Sequence, residues 1–140
     1  MSSTAFIDQL GNRIQVSFPP QRIISLVPSQ TELLADLGLE DRVVGITKFC
    51  IHPEHWRKTK TIIGGTKNFD VDRIRSLHPD LIIGNKEENY KEGIATLSAQ
   101  FPLWMSDIIT LPDALNMFRS VGEITNTSFK ADKIAIDIES

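Results

Sequence analysis

Five compact apolar runs, separated by amphipathic stretches, constrain what this chain can fold into. They are "RIISLV" (22–27), "VVGIT" (43–47), "TIIGG" (61–65), "DLIIG" (80–84) and "PLWM" (102–105). A strand that is apolar on both faces suits a parallel sheet covered by helices on either side. The intervening stretches carry helical periodicity. "SQTELLADLG" places Leu33, Leu34 and Leu37 on one face, with Ser29 and Glu32 at capping-box spacing and Gly38 as the stop. "VDRIRSLHP" aligns Val71, Ile74 and Leu77 and ends before Pro79. "YKEGIATLSAQF" (90–101), "LPDALNMFRSVG" and "SFKADKIAIDIES" (128–140) complete the set. The second of these has Thr110 as cap, Asp113 three residues on and Gly122 as stop. At the front, "FIDQLGNRIQV" reads as a hairpin about Gly11-Asn12.

Strands alternating with helices predict an α/β fold: a mainly parallel, Rossmann-like αβα sandwich with right-handed crossovers and a short N-terminal hairpin. A length of 140 residues fits one domain with a real core. The net charge of −3, with no run of Lys or Arg, argues against nucleic acid as a partner. No apolar stretch is long enough to span a membrane. The opening "MSSTAFIDQLGNR" lacks a basic segment followed by an apolar one, so no signal peptide is visible; a cytoplasmic protein, or one whose leader is missing, is expected. A single cysteine forms no internal disulfide.

Ligands of open parallel sheets bind outside the carboxyl ends of the strands. That rule selects "PSQ", "KFCIHPEHW", "TKNFD" and "NKEEN". The second contains Cys50, His52 and His55, three residues of types that bind zinc. Pro53 makes the segment irregular, and no C-x-x-C or H-E-x-x-H spacing accompanies it, which favours a loop in which His52 caps or packs. A Cys–His nucleophile needs a positioned base. Cys50, between Phe49 and Ile51, reads more readily as buried and inert. "IIGGTKN" and "VPSQTE" offer main-chain N–H groups but match no phosphate-binding fingerprint. "NKEENYKEG" reads either as a solvated helix start or as a ligand-contacting loop. Trp104 is expected in the core; Trp56 either covers a flat ligand or packs.

The runs "RIISLVPSQTELLADLGLEDRVVGIT", "FCIHP" and "IGGTKNFDVDRIRSLHPDLII", with "LGNR" in front, resemble the amino-terminal lobe of ABC-transporter substrate-binding proteins for cobalamin, ferric siderophores or haem. The resemblance implies a non-enzymatic binding protein in which two α/β lobes, joined by a long helix, enclose the ligand. It implies residues 1–126 as the first lobe and 127–140 as the start of the interlobe helix, with the second lobe absent. Half a cleft buries only part of a ligand, so self-association through the exposed face, or a fragment, is expected.

By the same resemblance Pro28, Ser29 and Gln30 form the cleft floor. Phe49, Cys50 and His52 form a second edge, Thr66, Lys67 and Asn68 a third, and Asn85, Glu87 and Glu88 a fourth. Cys50 and His52 either approach the ligand's metal or only shape the wall. The candidate ligands are cobalamin, a ferric siderophore or haem, with no permanently bound cofactor or resident metal. Asp72, in "FDVDRI", stands where the family carries an acid that docks on the membrane permease, and a periplasmic location is implied. The alternatives are a cytoplasmic corrinoid- or metal-binding protein, a metal-dependent enzyme using Cys50 and His52, and an interaction module with a vestigial cleft.

Overall fold

The computed structural model describes residues 3–139. Strands β1 (Ser3–Ile7) and β2 (Arg13–Ser17) form the antiparallel hairpin, turning at Gly11. Five parallel strands follow: β3 (Ile23–Ser25), β4 (Val43–Ile46), β5 (Thr61–Ile62), β6 (Leu81–Asn85) and β7 (Leu103–Ser106). Their order across the sheet is β5-β4-β3-β6-β7. The helices are α1 (Pro28–Asp36), α2 (Trp56–Thr59), α3 (Val71–Ser76), α4 (Lys91–Ser98), α5 (Leu111–Ile124) and α6 (Ser128–Glu139). The α/β architecture read from the sequence is therefore the one observed.

Alternation along each strand sorts the core into two layers. Ile23, Ile83 and Trp104 face the layer built from α1, α5, α6 and the hairpin. Ile24, Ile82, Leu103 and Met105 face the layer built from α3 and α4. The sheet winds outward from β3 in both directions. After β5, α3 carries the chain back across the second face to place β6 beside β3. The loops after β3 and β6 therefore diverge, which opens a crevice at the carboxyl edge.

The hairpin also closes one side of the sheet. The Met105 N–H donates to the Asp8 carboxylate at 3.3 Å, and the Gln9 N–H donates to the Met105 carbonyl at 3.0 Å. Gln9 Oε1 accepts from the Asp107 N–H at 2.9 Å. The outward N–H and carbonyl of Met105 in β7 are thereby paired with the turn that precedes β2.

Two helix ends depart from the expectation. Helix α1 is entered through Val27 with Pro28 in its first turn and no side-chain cap, so Ser29 lies inside the helix and the expected Ser29/Glu32 capping box does not form. Proline pre-sets the helical φ and has no N–H to satisfy, which moves the start two residues earlier. Its stop is as expected, with Gly38 at φ +76°. Helix α5 has its Thr110/Asp113 capping box but runs through Gly122 to Ile124. Gly122 is there because α5 and α6 touch: a Cβ at this position would overlap the Cβ of Ala131.

Beyond the sheet, α2 is tied to the α1–β4 turn. Glu40 Oε1 accepts from Trp56 Nε1 at 3.0 Å and bonds His55 Nε2 at 2.6 Å, and Lys60 donates to the Glu40 carbonyl. Trp56 is thus buried packing rather than an exposed lid, and Trp104 is core. The His55 hydrogen bond, followed by that of Trp56, holds the Glu40 carboxyl below its ordinary range, with desolvation opposing them.

Two predictions follow from this packing. Gly122→Val lowers stability by about 1–3 kcal/mol in urea denaturation through overpacking, and Ala131→Gly recovers part of the loss in the double variant. A carboxyl with a depressed folded-state pKa stabilises the fold above its unfolded value and loses that contribution as pH falls through the folded value. Thermal midpoints measured from pH 6 downward therefore fall below about pH 4.5 less steeply in Glu40→Gln than in the unmodified chain.

Candidate functional site

Five loops meet at the carboxyl edge, and one amide ties three of them together. Asn89 Nδ2 donates to the Leu26 carbonyl at 3.1 Å and to the Thr66 carbonyl at 2.9 Å, while its Oδ1 accepts from the Asn85 N–H at 2.9 Å. The ends of β3, the β5–α3 loop and the β6–α4 turn are fixed relative to each other by this buried side chain. Gly84 admits it: a Cβ there would stand 2.9 Å from both Asn89 Oδ1 and Met105 Sδ. Asn85 then organises the turn itself, its Oδ1 accepting from the Glu87 and Glu88 N–H groups at 2.9 and 3.1 Å.

The floor between β3 and β6 is a polar cluster. Gln30 Nε2 donates to Ser106 Oγ at 2.6 Å and to the Gly84 carbonyl at 3.1 Å, and Asn85 Nδ2 donates to Ser106 Oγ at 2.9 Å. Gln30 is only 2% exposed, so it supports the floor from beneath rather than lining its surface. Pro28 is half-buried and Ser29 exposed, which leaves the first turn of α1 as the accessible part of this edge.

In "KFCIHPEHW" the residues sort by environment. Cys50 is 2% exposed, its Sγ 3.2 Å from Thr31 Oγ1 and 3.3 Å from Thr47 Oγ1. Its neighbours point the other way: Phe49 is 54% exposed and Ile51 63%. Cys50 is therefore an internal anchor that joins the loop to α1 and β4, and its expected place on the cleft surface is corrected. His52 is exposed, so thiol and imidazole occupy different environments and do not form a nucleophile–base pair. Among the described residues no group of three His, Cys, Asp or Glu side chains is placed to hold a metal ion.

On the third edge Thr66 is half-buried, with Lys67 and Asn68 exposed. Lys67 Nζ donates to the Glu87 carbonyl at 2.6 Å, which joins this edge to the fourth. Glu87 and Glu88 are exposed and Asn85 is buried. The β7–α5 loop is a fifth edge that the sequence reading passed over. It exposes Ile109 at 84% and Leu111 at 57%. Two apolar residues in a row beside a strand's carboxyl end, "SDIITLPD", were the available signal. Asp72 stands apart, at the start of α3. Its side chain is 91% exposed and pairs with Arg75 at 2.6 Å, while the cap of that helix is Asp70, which accepts from the Arg73 N–H.

The carboxyl edge thus combines a cluster of main-chain and amide groups with loops on which Phe49, Ile51 and Ile109 are exposed. Proteins of known structure share this fold. The sequence profile described as "Periplasmic binding protein" matches residues 23–140. The ABC transporter substrate-binding lipoprotein YvrC of Bacillus subtilis (strain 168) is 27% identical over 139 residues, which cover 96% of this chain and 44% of that protein. The periplasmic vitamin B12 binding protein BtuF of Vibrio cholerae superposes with a TM-score of 0.78 at 25% identity, over 86% of this chain and 48% of that one. The siderophore binding protein BauB, solved with ferric iron and acinetobactin, shares the fold with a TM-score of 0.85 at 20% identity, over 99% of this chain and 51% of that one. The chain thus spans about half the length of the proteins it matches. With an α/β sandwich wound about a braced crevice, and a profile match from β3 to the end of α6, the chain belongs to the periplasmic binding protein family.

Proposed function

We propose that this chain is the amino-terminal lobe of the substrate-binding component of an ABC-type importer. Residues 1–126 form the lobe and 127–140 begin the helix that leads to a second one. Its ligand is a large metal-containing molecule, such as cobalamin, a ferric siderophore or haem, held at the carboxyl ends of the strands. The work is done outside the cytoplasm. One observation carries this reading: the Asn89 brace fixes the loop ends at the β3/β6 switch of the carboxyl edge, and on the same edge the loop after β4 exposes the apolar Phe49 and Ile51. A rigid polar floor with an apolar wall is the usual composition of a small-molecule site. The functions of the relatives, substrate binding by an ABC transporter lipoprotein and vitamin B12 binding, point the same way. An enzyme using Cys50 and His52 finds no support in a thiol buried between two threonines.

Within this reading Phe49 is a ligand-covering side chain. Its ring packs close to Gly65, where a Cβ would stand 3.2 Å from it, and Lys48 Nζ lies 5.2 Å from the ring centroid. The carboxylate of Asp72, on the outer surface, is the permease contact.

Two measurements test the proposal. Titration of the chain with aquocobalamin, haemin and a ferric siderophore, followed by absorbance, is expected to show saturable binding of at least one. Phe49→Ala weakens that binding roughly tenfold, the loss expected for one covered aromatic ring. Binding of none of the three would overturn the reading. Asp72→Lys, tested with the cognate permease in proteoliposomes, lowers uptake by roughly tenfold and leaves ligand affinity unchanged, because reversing a rim charge acts on docking.

A further inference from the structure

The hairpin seals only the later half of the β7 edge. In the parallel pairing with β6, the carbonyls of Pro102 and Ser106 turn inward and accept from the Ile82 and Lys86 N–H groups at 2.9 Å each. Alternation then turns the main chain of Leu103 and Met105 outward. Met105 is paired with Asp8 and Gln9. Leu103, two residues earlier, has no outward main-chain partner among the described residues, although it is only 5% exposed. Buried N–H and carbonyl groups are rarely left without partners.

The hairpin turns a second free edge toward the same place. The Asp8 N–H donates to the Asn12 carbonyl at 3.0 Å, and the register continues through Ile7 with Arg13 and Phe6 with Ile14. In an antiparallel pair the hydrogen-bonded positions alternate, so Ile14 and Val16 bond toward β1, and the N–H and carbonyl groups of Arg13 and Gln15 point away from it. Between the two edges lies a cavity of about 500 Å³. Arg13, Ile14 and Gln15 line it from the hairpin, Leu103 from β7, and Ile94 and Phe101 from α4 and the turn after it. It sits at the amino end of β7, at the opposite end of the sheet from the carboxyl-edge crevice. Its charges do not cancel. Asp8 also lines it, but this buried carboxylate accepts from the Leu10 and Asn12 N–H groups at 3.0 and 2.8 Å. The exposed Arg13 has no acidic partner among the described residues.

We propose that this slot is a docking site for an extended, acidic segment of a partner protein. The segment adds a strand beside Leu103 and takes its hydrogen bonds from the free main-chain groups of the two edges. Its side chains on one face enter among Ile14, Ile94 and Phe101, and an acidic residue meets Arg13. An extended main chain is the ligand whose donors and acceptors repeat at the spacing of a strand edge. The slot is separate from the crevice, so this inference does not depend on what the crevice binds.

The test adds to the whole chain a fluorescein-labelled, end-blocked peptide of alternating valine and threonine with a central aspartate, read by anisotropy. Saturable binding is expected. Lysine in place of the aspartate weakens it about tenfold, and Arg13→Glu reverses that order. Methylation of alternate peptide nitrogens abolishes binding in one register and spares it in the other, a pattern that apolar contact alone does not produce. Arg13 is exposed, so the variant keeps its fold, which an unchanged thermal midpoint and unchanged titrations with aquocobalamin and haemin verify. Absence of peptide binding, or binding indifferent to both the methylation and the charge reversal, overturns the proposal. So does a dimer in sedimentation that dissociates in Arg13→Glu while no peptide binds, which assigns the slot to a second copy of the chain.

Discussion

The site depends on one buried amide. Asn89 uses both of its donors and its acceptor on main-chain groups from three different loops. Such groups are costly to bury unpaired, so the loops hold their positions only while the amide satisfies them. The reversal of winding direction between β3 and β6 creates a gap, and Asn89 spans its base. Gly84 gives it room, and the Asn85 turn takes its shape from the bond to its N–H. A larger, apolar or branched residue at position 89 would leave three main-chain groups at the carboxyl edge without partners.

A second constraint acts through the "KFCIHPEHW" loop. Its single cysteine draws attention as a nucleophile or ligand, yet the structure uses it as an internal fastener. With Sγ held between Thr31 and Thr47, the loop has one fixed point, and Phe49 and Ile51 on either side are turned outward. At its other end the loop runs into α2, which the Glu40 contacts hold against the α1–β4 turn. A segment that looks irregular in sequence is thus anchored at both ends, and the side chains between the anchors are free to face a ligand.

Much of the architecture was legible because it rests on local periodicity. Five apolar runs gave five strands in place, and the spacing of Leu33, Leu34 and Leu37 or of Val71, Ile74 and Leu77 gave helices with their buried faces. Four of the loops at the carboxyl edge followed from a rule about parallel sheets. What was not legible depends on contacts between distant parts of the chain. Gly122 reads as a stop until Ala131 is seen against it. Helix α2 is too short to show a period. Gln30 and Cys50 belong to edge-forming segments, yet their side chains turn inward to Ser106, Thr31 and Thr47, partners as far as 76 residues away.

The hairpin's grip on β7 has a consequence for the order in which the chain becomes safe from its neighbours. An open parallel sheet ends in strands whose outward main chain is a template for other chains. Here the seal, Asp8 and Gln9, is made nearly a hundred residues before the strand it covers. The segment that covers Met105 is thus synthesised before the strand it protects. The opposite edge, β5, has only two paired residues and presents too little to recruit a partner.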